Sequence, residues 1–184
     1  MSREVEPIQP AVVTVGSIHG GQKHNIISDE VKLQLTLRSY SEAVRLQLIE
    51  GIGRRINALA VAHKAPAPSL EVQEHTPATI NNPDLVARVA PLLKKELGDS
   101  HVQVADPVMG AEDFALYAEQ GVPIMMFWIG TIAPERIEDA KAKGLDLPGL
   151  HSALYYPEPR GSVRAGVRAM VAAVTGLLPP RSPR

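Results

Sequence analysis

Val31-Lys32-Leu33-Gln34-Leu35-Thr36-Leu37-Arg38 alternates apolar and polar side chains without interruption. Successive side chains of an extended chain point to opposite faces, so this octapeptide is predicted to be a strand with one apolar and one wet face. Upstream, Ala11 to Ile18 is β-branched and apolar and predicts a second strand. His19-Gly20-Gly21-Gln22-Lys23-His24-Asn25 then supplies the glycine-rich turn or loop that ends it. The two strands are expected to pair. Downstream, Ser39 or Ser41 is placed to cap a helix in which Val44, Leu48, Ile52, Ile56 and Leu59 recur at helical spacing. That helix is expected to end near His63, ahead of Pro66 and Pro68.

Ser69 to Gln73 is short and alternating, and predicts a third strand. The order strand, strand, helix, strand is what remains of a ferredoxin-like α+β sandwich, β-α-β-β-α-β, without its first strand and helix. Residues 1 to 10, charged and carrying Pro7 and Pro10, read as a connector that is abrupt for the start of a domain. After Thr76-Pro77-Ala78-Thr79 the texture changes, and a domain boundary is placed there. Asn81-Asn82-Pro83-Asp84 starts an amphipathic helix that runs through Leu97 and stops at Gly98. Further expectations are a short strand at Val102 to Val104, a helix over Ala111 to Glu119 and a buried strand over Pro123 to Ile129. Ala133 to Pro148 reads as an exposed loop with some helix. Val163 to Leu178 predicts a helix with Val163, Val167, Met170, Val171, Val174 and Leu178 on its packed face, and Pro179 to Arg184 predicts a disordered tail.

Bulk properties narrow the function classes. A formal net charge of -1 leaves no basic excess for nucleic acid. The longest apolar run, Val122 to Ile129, contains Pro123 and is too short to span a bilayer, and Met1-Ser2-Arg3-Glu4 lacks a signal-peptide core. The expected address is cytoplasmic. With no cysteine, a disulfide framework, a thiolate zinc site and a cysteine nucleophile are excluded.

Chemistry-bearing residues are few, and each has a structural reading beside the functional one. In Gly149-Leu150-His151-Ser152-Ala153-Leu154-Tyr155-Tyr156, His151 sits where a chain presents groups at a surface or cleft. Its imidazole can be a metal ligand, a proton carrier or a hydrogen-bonded loop residue. Glu112 and Asp113 follow Gly110 at a helix opening, where acidic residues also serve the helix macrodipole. His19, His24 and Asn25 lie near glycines that let backbone approach a ligand, which a plain turn explains equally. Arg38 ends a strand and can fork onto a carboxylate or remain solvated. Trp128 reads as core, and His63, His75 and His101 read as surface residues.

Taken together in order, Gly20-Gly21, Asn25-Ile26-Ile27-Ser28-Asp29, Leu35-Thr36-Leu37-Arg38-Ser39, Met109-Gly110-Ala111-Glu112-Asp113-Phe114, Phe127-Trp128-Ile129-Gly130 and Leu150-His151-Ser152 resemble the second half of a known family. It is that of metal-dependent amidohydrolases and metallopeptidases of the aminoacylase, hippurate hydrolase and auxin-conjugate (IAA-amino acid) hydrolase type. The resemblance runs from about Ser2 to Leu178. It implies an α/β zinc-peptidase-like catalytic domain holding two divalent ions, zinc or similar, and an inserted α+β lid that mediates homodimerisation. Residues 1–77 then correspond to the lid/dimerisation domain without its first strand and helix, and 78–184 to the C-terminal part of the catalytic domain. The fold class so implied is α/β plus α+β. By the same resemblance His151 matches the family's last metal ligand. Asn25 and Arg38 match lid positions that hold the substrate's carbonyl or carboxylate. Glu112 matches an acid near the site, read as support for it. The implied substrates are N-acyl amino acids or small peptides.

Two departures qualify that resemblance. Ser28 stands where members commonly have proline, a change expected to loosen the loop that positions Asn25. The family's other metal ligands and its catalytic glutamate lie in an N-terminal half that these residues do not include. A catalytic zinc site needs about three protein ligands and an open position for water, so His151 alone is expected not to hold an ion. Amide hydrolysis further needs a base for the water's proton. The chain alone is therefore expected to be inactive. The alternatives are a non-catalytic lid or dimerisation module and a new metal site among the six histidines.

Overall fold

A computed structural model describes residues 4–73 and 76–178. The expectations for His75 and for the tail after Leu178 lie outside these residues. The described chain is mixed α/β, with one two-stranded sheet and five α-helices. It divides into two compact units. One runs to Ile80 and takes in Pro107–Val122, and the other comprises Asn81–Asp106 and the chain from Pro123 onward.

In the first unit β1 (Ala11–Gly20) pairs antiparallel with β2 (Val31–Ser39), from Ala11 opposite Ser39 to Gly20 opposite Val31. The register shifts between Val15 and Ser17, which makes Gly16 the extra residue of a bulge. Gly21, with φ of 79°, turns the chain out of β1 in a conformation that favours glycine. Helix α1 (Glu42–Ala62) starts at Ser41 and ends at His63, as its spacing predicts. Val44 and Leu48 on α1 pack with Val5 against Ala11, Val13 and Leu37. Because Val13 stands opposite Leu37, that contact covers one end of the sheet only. Val31, Leu33 and Leu35, on the same face as Leu37, are exposed.

In the second unit α2 (Pro83–Leu97) and α5 (Pro159–Leu177) pack through Val89, Leu93, Ala169 and Ala173. The Asn82 side chain caps α2 by accepting from the Leu85 amide at 2.9 Å, with Pro83 in the first turn. Gly98, at φ 100°, ends it. Arg168 on α5 donates to the Glu96 carboxylate at 2.7 Å. The short helices α3 (Leu116–Glu119), in the first unit, and α4 (Pro134–Ala142), in the second, complete the set.

Several expectations are corrected. Among the described residues Ser69–Gln73, Val102–Val104 and Pro123–Ile129 form no strand. A strand exists only where a second extended backbone answers its groups in a ladder, and no such ladder forms over these segments. Leu70 instead lies over Gly53 of α1. The segment around Met126 is held by Asn81 and Asn82: the Asn81 side chain donates to the Met126 carbonyl at 2.8 Å and accepts from its amide at 2.7 Å. The Asn82 amide donates to Ile124 at 2.8 Å. Ala111–Glu119 is not one helix but an extended start, a 3-10 turn at Asp113–Ala115 and α3. Trp128, read as core, is 59% exposed. The predicted packed face of α5 is also exposed, from Val163 to Leu178, because the helix turns its alanines toward α2. Small side chains allow the close approach: a Cβ on Gly176 would collide with a Leu92 methyl group.

Candidate functional site

Three of the four candidate residues lie in the first unit, and His151 lies in the second.

Asn25 is exposed in the ten-residue loop between β1 and β2, within a turn closed by the Ile26 amide on the Lys23 carbonyl at 3.3 Å. Ser28, in the same loop, makes a local pair with Glu30. Its hydroxyl donates to the Glu30 carbonyl at 2.7 Å and accepts from the Glu30 amide at 3.3 Å. A serine can thus fold back on the chain where a proline would restrict it by its ring.

Arg38 leaves the end of β2, and its Nη1 donates to the carbonyl oxygen of Met109. Glu112, three residues beyond Met109, precedes the 3-10 turn and accepts from the Phe114 amide at 3.4 Å, while its carbonyl accepts from the Thr79 hydroxyl at 3.5 Å. The structure therefore brings Arg38 to the segment that carries Glu112. It also shows the Glu112 side chain capping that 3-10 turn, a local role different from the macrodipole role weighed for it from sequence.

His151 is exposed on a turn in which the Ser152 amide donates to Gly149 at 3.0 Å. The Leu154 amide donates to the Ser152 hydroxyl at 3.1 Å, and the Tyr155 amide to the Ser152 carbonyl at 3.0 Å. Farther along, the Tyr155 hydroxyl bonds to Thr131, the Glu158 amide donates to the Thr131 carbonyl at 2.7 Å, and Arg136 stacks 5.4 Å from the centre of the Tyr156 ring. These contacts fix the segment after His151. Nothing in sequence spacing pointed to Thr131 or Met109 as partners, since one acts across 24 residues and the other through backbone.

Among the described residues, no group of three or more His, Cys, Asp or Glu side chains is placed to hold a metal ion. A single imidazole supplies one ligand where a closed or catalytic site takes three or four, so the side chains described here do not fit the metal centre that the resemblance implies.

The chain belongs to peptidase family M20/M25/M40, whose model matches residues 5–150. That match stops one residue short of His151. The chain is 33% identical over 130 residues to thermostable carboxypeptidase 2 of Saccharolobus solfataricus, covering 71% of this chain and 32% of that protein. It is 34% identical over 122 residues to the IAA-amino acid hydrolase ILR1-like 2 of Arabidopsis thaliana, covering 65% and 27% respectively. An N-acetyldiaminopimelate deacetylase of Leuconostoc citreum is 34% identical over 131 residues, covering 71% and 33%. A crystal structure from methicillin resistant Staphylococcus aureus, described as a "putative aminohydrolase", matches 94% of this chain and 40% of its own at 25% identity, with a TM-score of 0.69. The chain thus spans about a third of the length of the curated relatives it matches.

Proposed function

We propose that this chain is the C-terminal portion of a metal-dependent amidohydrolase that cleaves the amide bond of N-acyl amino acids or small peptides. The observation that carries the reading is the family match over residues 5–150, which includes the Asn25 loop, Arg38 and the Glu112 turn. In the complete enzyme, Asn25 and Arg38 would hold the substrate's carbonyl or carboxylate, Glu112 would support the site, and His151 would contribute one ligand toward two divalent ions, zinc or similar. The lid corresponds to residues 1–77 in a partial ferredoxin-like arrangement, and the catalytic portion to 78–184. The address is cytoplasmic. What supports an extramembrane reading is that no helix among the described residues is long and apolar enough to cross a membrane.

By itself the chain is inactive, because a lone imidazole neither holds an ion nor takes a proton from attacking water in the required geometry. Assay of the purified chain with N-acetyl amino acids, alone and with zinc, manganese or cobalt, is expected to give no hydrolysis above background. Metal-dependent turnover would overturn the inactivity. The enzyme-portion reading is tested separately by the genomic sequence immediately upstream: an in-frame continuation with paired His/Asp or Cys/His ligands and a Glu-Glu pair is expected.

A second reading, a non-catalytic association module, is favoured by the exposed Val31, Leu33 and Leu35 on the sheet face beyond α1. Homodimerisation through the lid belongs to both readings. Sedimentation equilibrium is expected to show a dimer weakened by Leu33→Glu.

A further inference from the structure

We propose that Arg38 is a two-edged clamp: one edge positions the Met109–Glu112 segment through the Met109 carbonyl, and the other takes the carboxylate of a small acylated ligand. Ligand binding and the order of residues 107–122 are then coupled through one side chain. The ligand half of this statement rests on the function proposed above, whereas the positioning half rests on geometry alone.

Between Gln103 and Glu112 no backbone-to-backbone hydrogen bond holds the chain among the described residues. The Nη1 of Arg38 therefore supplies a tether that secondary structure does not, on a carbonyl 71 residues away. The other flank is fixed by Glu112 on the Phe114 amide and by Thr79 on the Glu112 carbonyl. Among the described residues the Nε and Nη2 groups of Arg38 have no hydrogen-bond partner, and the residue is exposed. Those two groups form the edge of a guanidinium that matches both oxygens of a carboxylate. Because the guanidinium is planar and rigid, a carboxylate seated on that edge restricts the rotation that would release Met109. Lysine offers a point charge without a second fixed edge, so it can serve one partner or the other but does not couple them.

The experiment is amide hydrogen exchange on the whole chain, followed at peptides within 107–122, with peptides of α2 and α5 in the other unit and far-ultraviolet circular dichroism as fold controls. Arg38→Ala is expected to speed exchange at the hydrogen-bonded amides of the segment, from Phe114 to Val122, about three- to tenfold, the range for losing one hydrogen bond near the surface. Unchanged exchange there overturns the positioning role. N-acetyl-L-alanine, but not its carboxamide, is expected to slow exchange over 107–122 in the native chain and to have no effect in Arg38→Lys, which also covers the case in which the alanine variant does not fold. If Arg38→Ala loosens the segment and N-acetyl-L-alanine protects nothing, the tether stands and the carboxylate edge is refuted. If both forms of the probe protect equally, recognition does not run through the carboxylate and the coupling is refuted.

Discussion

The side-chain amide of Asn81 exchanges two hydrogen bonds with the backbone of Met126, at 2.8 and 2.7 Å. An asparagine here does what a neighbouring strand would do, donating to a carbonyl and accepting from an amide of an extended segment. Asn81→Ala removes both partners. The expected loss is about 1–2 kcal/mol, since Met126 is only half-buried and water replaces part of what is lost. Asn81→Asp keeps the acceptor but sets a carboxylate oxygen against the Met126 carbonyl oxygen, and is expected to lose at least as much. Urea unfolding followed by the fluorescence of Trp128, the single tryptophan, checks both.

The contact of α2 with α5 is the better packed core of the second unit. Leu93, 4% exposed, sits at its centre, and Leu93→Ala is expected to cost about 2–4 kcal/mol through lost burial and a cavity. Leu178→Ala, at a residue 71% exposed, is expected to change stability by less than about 0.5 kcal/mol. Equal effects in the same unfolding measurement would contradict the packing described.

Glu4 ties the start of the described chain to α1. Hydrogen bonds from Arg54 and then Arg55, at 2.7 and 2.8 Å, hold its carboxyl below the usual glutamate range. A carboxyl whose folded value is depressed contributes stability above its ordinary titration, and that contribution is lost as pH falls through the folded value. Thermal midpoints are therefore expected to fall with acidification below about pH 4 more steeply in the native chain than in Glu4→Gln. Parallel curves for the two would remove Glu4 from the account.

Helix α5 is apolar on both sides. Alanines face α2, while Val163, Val167, Met170, Val171 and Val174 face solvent. A surface of this kind binds apolar dyes and promotes association. Val167→Glu with Val171→Glu is expected to reduce anilinonaphthalene sulfonate fluorescence and light scattering severalfold while leaving the unfolding midpoint of the α2–α5 core in place. Dye binding that survives the double substitution would locate the exposed surface elsewhere.

The elements whose reasons are local were legible in the chain of letters. The alternation of Val31 to Arg38 set the strand, Ser41 and the spacing from Val44 to Leu59 set α1, and Asn82, Pro83 and Gly98 bounded α2. The family, too, was legible, because its motifs occur in order over most of the chain, and the match over residues 5–150 agrees.

What failed were statements about neighbours. The apolar run Pro123 to Ile129 announces burial, but a strand needs a second backbone at hydrogen-bonding distance, and among the described residues Asn81 and Asn82 alone answer it. The large residues of α5 announce a packed face, yet helix contact is decided by what lies opposite, and α2 meets the alanines. Arg38 announced a fork without saying onto what, and only the folded chain set its Nη1 on the Met109 carbonyl. Local preference is written in each segment by sterics and periodicity. Partnership between segments distant in the chain is not, because it depends on which of them the backbone brings within reach, whereas the pairing of β1 with β2 across a ten-residue loop was legible.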